Sequence, residues 1–277
     1  MHFTKYTGLG NDFIFVDGPT ALSIKNPTLL AQKICDRRFG VGADGLVLLL
    51  PSARADIRMR IINSDGSEAE MCGNASRCVP LHLLRTGMTQ KKSVWIETLA
   101  GVIKTEIIDP ACGLVRVDMG PARLRRGDIP VIGAPDAQAI SIPAGACGRT
   151  FFGTAVSMGN PHFVIFTDNV EQIPLERWGA ALEKHPLFPR KTNVEFVQVL
   201  NEQTIRMRVW ERGAGVTRAC GTGACAAAVA GVLNHKTGPY VTVKLDGGDL
   251  QIEWRNQHNV LMTGLAQAVF TGEYTDL

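Results

Sequence analysis

The sequence predicts an α+β protein of two homologous halves, each a mainly antiparallel β structure around a central helix. Three observations carry this reading. Short β-branched runs bounded by Gly, Asp, Asn or Pro recur along the chain: DFIFVD, LVLLL, IRMRII, VWIET, VIKTEII and LVRVDM. Such runs read as strands. Helical segments are few. Finally, blocks repeat in order: EMCGNASRC at 70–78 is echoed by RACGTGACA at 218–226, and IRMRIIN at 57–63 by IRMRVWE at 205–211. GLGNDFIFVD at 8–17 resembles SMGNPHFVIFTD at 157–168, and VWIETLAGVIKTEI at 94–107 resembles VTVKLDGGDLQIEW at 241–254. A nearly constant offset over four blocks marks a duplication, and its period is too long for a solenoid.

Taken in order, GLGNDFIFVD is a strand entered through a glycine turn. NPTLLAQKICDRR at 26–38 is a helix with Asn26 as its cap and Pro27 in its first turn. GVGADG at 40–45 satisfies G-x-G-x-x-G, but it follows a helix and precedes the strand LVLLL. That is the reverse of the nucleotide-binding order, so tight turns explain its glycines. After IRMRII, a helix over 75–85 follows Cys72, with Pro80 tolerable in its early turns. A matching helix over 223–235 follows Cys220. The halves are 1–118 and 119–264, joined in the Gly/Pro/Ala-rich stretch 127–148.

Bulk properties narrow the function classes. The 277 residues are 45% hydrophobic and 20% charged with net charge +3, a globular balance that gives no electrostatic footprint for nucleic acid. RLRR at 123–126 reads as a solvated loop, and no apolar run reaches membrane-spanning length. The start MHFTKYTGLGNDF lacks a charged leader and apolar core, so no signal peptide is expected. Seven cysteines without a dense framework fit reduced thiols in the cytoplasm. Cys35, Cys112 and Cys147 read as packing or surface thiols, and Cys78 and Cys225 as core residues. The Cys-x5-Cys and Cys-x4-Cys spacings are wider than usual zinc knuckles, so no metal is expected.

Cys72 and Cys220 differ from the rest, because each sits with a glycine at the predicted N-terminus of its half's helix. Such an end carries unpaired N–H groups and about half a positive charge, lowers a thiol's pKa and binds carboxylates. Two of them facing each other would clamp one carboxylate between two thiols. That arrangement suits removal of an α-proton on one face and its return on the other, as in an amino-acid racemase or epimerase without pyridoxal phosphate.

GLGNDF, FGVGADG, NSDGSEAEMCGN with its following RC, SMGNPH, ERGAG and ACGTGACA together resemble the diaminopimelate epimerase family, from Thr4 to about Tyr274. The resemblance implies interconversion of LL- and meso-diaminopimelate in lysine and peptidoglycan-precursor synthesis, without a cofactor. It implies that Cys72 and Cys220 are the acid/bases, and that His162 and Glu211 tune them from the places held by Asp12 and Asn63 in the first half. Gly73, Asn74, Gly221 and Thr222 resemble a backbone clamp on the reacting carboxylate. Asn11, Asn63, Asn160, Asn193, Glu211 and Arg212 resemble the recognition set. Gly45 stands in the substrate pocket where some members carry glutamine, and contributes no side chain. The resemblance further implies that residues 265–277 return to the first half and that the chain forms a homodimer, for which no stretch marks an interface. Ala75, Ser76 and Val216 depart from the usual family motifs and bear on substrate preference. The alternatives are a racemase of histidine, proline or hydroxyproline, and a catalytically inactive amino-acid-binding protein.

Overall fold

A computed structural model describes residues 1–255 and 258–275. The chain forms two compact units, Met1–Asp118 with Thr263–Leu277, and Met119–Met262. Residues 127–148, expected as the join, lie inside the second unit, where β9 (Ile142–Ala146) pairs with β10 (Arg149–Ser157).

In the first unit β1 (His2–Gly8) and β2 (Asn11–Val16) form a hairpin. Its two turn residues, Leu9 and Gly10, have φ of 57° and 89°. Both central positions of such a turn need positive φ, which glycine adopts freely. Helices α1 (Gly18–Ser23) and α2 (Pro27–Ile34) lead to β3 (Gly45–Leu50), parallel to β2. Asn26 caps α2 as expected, its side chain accepting from Leu29 N at 3.0 Å. β4 (Ile57–Asn63) is antiparallel to β3, and β5 (Glu68–Ala69) antiparallel to β4. α3 (Gly73–Arg85) then carries the chain to β6 (Ser93–Thr98), parallel to β4. β7 (Gly101–Asp109) and β8 (Leu114–Pro121) continue antiparallel, and β18 (Gln267–Glu273) closes against β1.

The second unit repeats this order. β10 pairs with β11 (Pro161–Phe166), and α4 (Leu175–Glu183) leads to β12 (Asn193–Asn201), parallel to β11. β13 (Thr204–Glu211) and β14 (Gly215–Thr217) follow antiparallel, and α5 (Gly221–Leu233) leads to β15 (Tyr240–Leu245), parallel to β13. β16 (Gly248–Glu253) pairs antiparallel with β15, and β17 (Asn259–Leu265) is the last strand before the chain returns. The parallel pairs, absent from the sequence reading, arise wherever a helix intervenes, because a crossover delivers the next strand in the same direction.

Each unit also has more than one helix. Along β2, Phe13 and Phe15 join the core that α3 covers, while Ile14 and Val16 join the core under α1 and α2. Strand side chains alternate faces, so a strand covered on both sides reads as one continuous apolar run. In the second unit α4 packs with Phe163, Ile165, Val194 and Phe196. α5 is buried along Ala224–Gly231, and its small side chains allow close approach to strands on the other face. Pro80 lies in the interior of α3 rather than in its early turns, because the helix begins at Gly73.

Candidate active site

The two helices begin alike. Cys72 and Cys220 are the N-caps of α3 and α5, both with extended backbone, so Gly73 and Asn74, and Gly221 and Thr222, form the first helical turn of each. The first four N–H groups of a helix lack intrahelical partners, and the sequence here brings a thiol to that end twice.

In the first unit Cys72 is half-buried and packs against the apolar core. Asn74, buried, donates Nδ2 to Asn11 Oδ1 at 2.5 Å and accepts from Arg77 Nη2 at 2.9 Å. Asn11 Nδ2 donates to Asp44 Oδ2 at 2.9 Å. A carboxylate only accepts, so this chain fixes both amides in one orientation. Behind it Arg37 bridges Asp12 and Asp44, each at 2.7 Å, and Lys5 reaches Asp12 at 2.9 Å. Burial pushes the Asp12 carboxyl up, but hydrogen bonds and charge from Arg37 and Lys5 outweigh it and bring its pKa to about 2. Asn63 ends β4 opposite Gly45 and donates Nδ2 to Ser67 Oγ at 2.9 Å. Gly45 faces the Ile62 carbonyl too closely for a β-carbon to fit without adjustment.

The second unit's thiol has different company. Cys220 is buried. Its Sγ accepts from Gly223 N at 3.3 Å and lies 3.5 Å from Thr222 Oγ1. Glu211 shares a hydrogen bond with Cys220 and accepts another from the Thr217 hydroxyl. Burial raises the Glu211 carboxyl above its usual range, against the lowering effect of those two bonds. Burial also raises Cys220 well above the ordinary thiol value, and the Glu211 and Glu195 carboxylates raise it further. The hydrogen bonds from Thr222 and Gly223 work in the other direction without prevailing. The thiolate expected from the helix N-terminus is therefore not the favoured form of Cys220: loss of water and two carboxylates outweigh the helix end.

His162 bonds Glu195 Oε1 through Nδ1 at 2.6 Å and Asn160 Oδ1 through Nε2 at 3.0 Å, and Asn160 Nδ2 donates to Thr222 Oγ1 at 3.3 Å. His162 is thus linked to the thiol through Asn160 and Thr222. Its counterpart in the first half is Phe13, not Asp12. Phe13 pairs with Gly45 across β2 and β3 as His162 pairs with Asn193 across β11 and β12. GLGNDF at 8–13 and SMGNPH at 157–162 align without a gap, which sets Pro161 against Asp12 and His162 against Phe13. Asp12 points to the opposite sheet face, toward Lys5 and Arg37. Asn193, buried, holds Pro161 O at 2.8 Å and Arg212 N at 2.9 Å. The exposed guanidinium of Arg212 donates to Arg190 O at 3.1 Å.

Two residues beside the site escape the sequence reading. Glu195 is fully buried, and its signal is a lone carboxylate in the apolar run NVEFV. Arg77, also fully buried, holds Asn74 and, through Nε, Leu265 O at 3.3 Å.

The family profile described as diaminopimelate epimerase matches residues 3–125 and 154–269. A diaminopimelate epimerase of Pelotomaculum thermopropionicum is 56% identical over 277 residues, covering 99% of each chain. One from Carboxydothermus hydrogenoformans is 54% identical, again over 99% of each. Among solved structures, a phenazine biosynthesis protein of the PhzF family from Bacillus anthracis superposes with a TM-score of 0.72 at 17% identity, covering 100% of this chain and 99% of its own. A probable proline racemase from Agrobacterium radiobacter gives 0.71 at 16% identity, covering 99% and 92%. At such identities these structures speak to the fold alone, and the same architecture serves both. The full-length sequence matches decide the kinship: this chain belongs to the diaminopimelate epimerase family.

Proposed function

We propose that this protein interconverts LL- and meso-2,6-diaminopimelate by moving one proton at one α-carbon, with Cys72 and Cys220 as the acid/base pair. The observation that carries the reading is the repeated N-cap thiol, set in a chain about half identical to diaminopimelate epimerases along its full length. The Cys220 environment favours the thiol, so Cys220 enters the cycle as the proton donor and Cys72 takes the α-proton. One S–H bond forms as a C–H bond breaks, and the reverse occurs on the other face. Both sulfurs must then reach the same carbon from opposite sides in the substrate complex.

In this reading the backbone N–H groups of Gly73–Asn74 and Gly221–Thr222 hold the reacting carboxylate, where charge develops as the α-proton leaves. Asn11, Asn63, Asn160, Asn193, Glu211 and Arg212 recognise the substrate, and Arg212 meets its distal carboxylate with a planar fork. Gly45 keeps a wall of the pocket free of side chain. The reading places the protein in the cytoplasm as a homodimer serving lysine and peptidoglycan-precursor synthesis. No helix among the described residues is long and apolar enough to cross a membrane.

The test is reaction of reduced protein in deuterium oxide with LL-diaminopimelate, L-histidine, L-proline and L-lysine, followed by α-proton exchange and stereochemistry. Exchange with diaminopimelate alone is the expected outcome. Exchange with histidine or proline instead would keep the thiols and overturn the substrate.

A further inference from the structure

We propose that Glu195 is a positioning residue for the Cys220 thiol: through His162 and Asn160 it sets the direction in which the Thr222 hydroxyl points at Sγ. The proposal rests on the reading of Cys220 as a reacting thiol.

The argument is one of donors and acceptors along a continuous relay. Glu195 Oε1 lies 2.6 Å from His162 Nδ1, His162 Nε2 lies 3.0 Å from Asn160 Oδ1, Asn160 Nδ2 lies 3.3 Å from Thr222 Oγ1, and Thr222 Oγ1 lies 3.5 Å from Cys220 Sγ. An ionised carboxylate can only accept, so Nδ1 carries a hydrogen. The Asn160 carbonyl oxygen can only accept, so Nε2 carries one as well. Asn160 is thereby left with its NH2 toward Thr222, whose oxygen must accept. The Thr222 hydroxyl hydrogen is then free to point at sulfur, which it stabilises when the thiol has given up its proton. The directions follow from the carboxylate at one end and from the Asn160 amide, whose Oδ1 faces His162 and whose Nδ2 faces Thr222.

Glu195 has little else to hold it. Its side chain is completely inaccessible, and Oε2 has no hydrogen-bond partner among the described residues. Buried carboxylates that serve only the fold are tied at both oxygens, because an unmet acceptor is costly. Here the ordered tie is the one to His162. The neighbouring helix is shaped to admit the carboxylate: a β-carbon on Gly223 would lie 2.8 Å from Glu195 Oε1 and 3.2 Å from Cys220 Sγ. Glu211 faces the same sulfur from β13 and is itself held by Thr217, so it remains in place when Glu195 is changed. At the corresponding register position the first unit has Val47, and the carboxylate there that reaches Asn11 and, through it, Asn74 is Asp44, without a histidine between.

The experiment compares the full reduced protein with its Glu195→Gln variant. Side-chain nitrogen NMR of labelled histidine at neutral pH, with His162 assigned by its loss in His162→Asn, is expected to show two protonated ring nitrogens in the unchanged protein and one in Glu195→Gln. With diaminopimelate, kcat should fall about tenfold to a hundredfold, while KM moves less than about threefold. Combining Glu195→Gln with Thr222→Val should cost no more than the worse single change, since the two act as one unit. A single protonated nitrogen in the unchanged protein, an unaltered kcat in Glu195→Gln, or losses that multiply in the double variant would each overturn the proposal. Should Glu195→Gln fail to fold, Asn160→Ala interrupts the same relay and must lower kcat in the same range. Absence of diaminopimelate turnover in the unchanged protein would instead sink the functional reading, and the His162 spectrum would still decide the relay.

Discussion

Cys72 and Cys220 cap matching helices beside matching strands, yet the walls behind them have opposite character. Around Cys220 stand His162, Glu195, Glu211 and Gly223. At the same register positions the first half places Phe13, Val47, Asn63 and Ala75. Even the Thr217 that holds Glu211 is matched by Ala69, packed against the apolar core. Duplication preserved the backbone device, a thiol on a helix N-terminus, while one side acquired charged groups and the other a neutral, mostly apolar lining. A two-base proton transfer uses such inequality, because it needs a thiol and a thiolate at the same moment. Burial and two carboxylates hold Cys220 as the thiol, and the first half carries Val47 and Asn63 at the positions of those two carboxylates.

The comparison is broken most directly by removing either sulfur. Cys72→Ala and Cys220→Ala should each lower kcat/KM for diaminopimelate by about a thousandfold or more, since each deletes one member of the proposed acid/base pair. Steady-state assays of both variants check this, with thiol mapping to show that the remaining cysteine is reduced. If either variant turned over within tenfold of the unchanged protein, the two sites would not be partners.

The next largest effect tests why the second half needs glycine where the first carries alanine. Gly223→Ala drives a methyl into Glu195 Oε1 and Cys220 Sγ, so it should cost about 1–3 kcal/mol of stability. It should also lower kcat, because the thiol must move. Adding Glu195→Val makes the second wall resemble the first and should recover the melting temperature but not the turnover. Recovery of both would mean that the charged wall has no part in catalysis.

Asp12 and Cys220 should also answer pH in opposite directions. Asp12, brought from 3.8 to about 2 by Arg37 and Lys5 against the opposing effect of burial, contributes stability that is present above its unfolded value and lost as pH falls through 3.8 toward 2. With the partial exposure of the group discounted, that is about 1–2 kcal/mol. Cys220 is raised well above 9.0, first by burial and then by the carboxylates, so its contribution is complete below 9.0 and declines as pH rises through its folded value. Hydrogen exchange, corrected for intrinsic rates, should show protection in residues 1–118 weakening in acid, whereas alkali should weaken both halves, because burial also pushes the Cys35 and Cys78 thiols of the first half up to about 12. Asp12→Asn should remove the acid effect alone. Undiminished acid sensitivity of residues 1–118 in Asp12→Asn would contradict the assignment.

Part of this asymmetry was legible in the sequence. The repeated Cys-Gly blocks locate both helix N-caps, because a local turn, a small residue and a following apolar stretch are enough to define one. Asn26 as a cap is legible for the same reason. The α4 helix is missed because Pro174 and Gly179 interrupt its pattern, although the duplication sets it opposite the predicted α2. Register is the harder matter. The mistaken pairing of His162 with Asp12 inserts a gap after Asn160 that GLGNDF and SMGNPH do not need, and a shift of one residue sends a strand side chain to the other face. Glu195 finds its partner 33 residues away across a parallel pair, a register that no local pattern encodes.

The smallest expected effect sharpens the comparison from the other side. Ala75 occupies the position that Gly223 holds in the second half, but it is completely buried within an apolar cluster that includes Phe13 and Val47. Its methyl therefore has apolar company where that of Gly223→Ala would meet a carboxylate and a sulfur. Ala75→Gly removes a buried methyl, for about 0.8 kcal/mol, and loosens the first turn of α3, for up to about 1 kcal/mol. It alters no polar group of the thiol or of the Asn11–Asn74 amide pair, so kcat should stay within about threefold. Calorimetry and steady-state kinetics on this one variant separate two explanations of the inequality between the halves. If only stability falls, the apolar wall behind Cys72 is packing, and polarity was needed on the Cys220 side alone. A tenfold loss of kcat would instead mean that the first half's methyl helps to place Cys72, and that each wall, charged or apolar, is tuned to its own thiol.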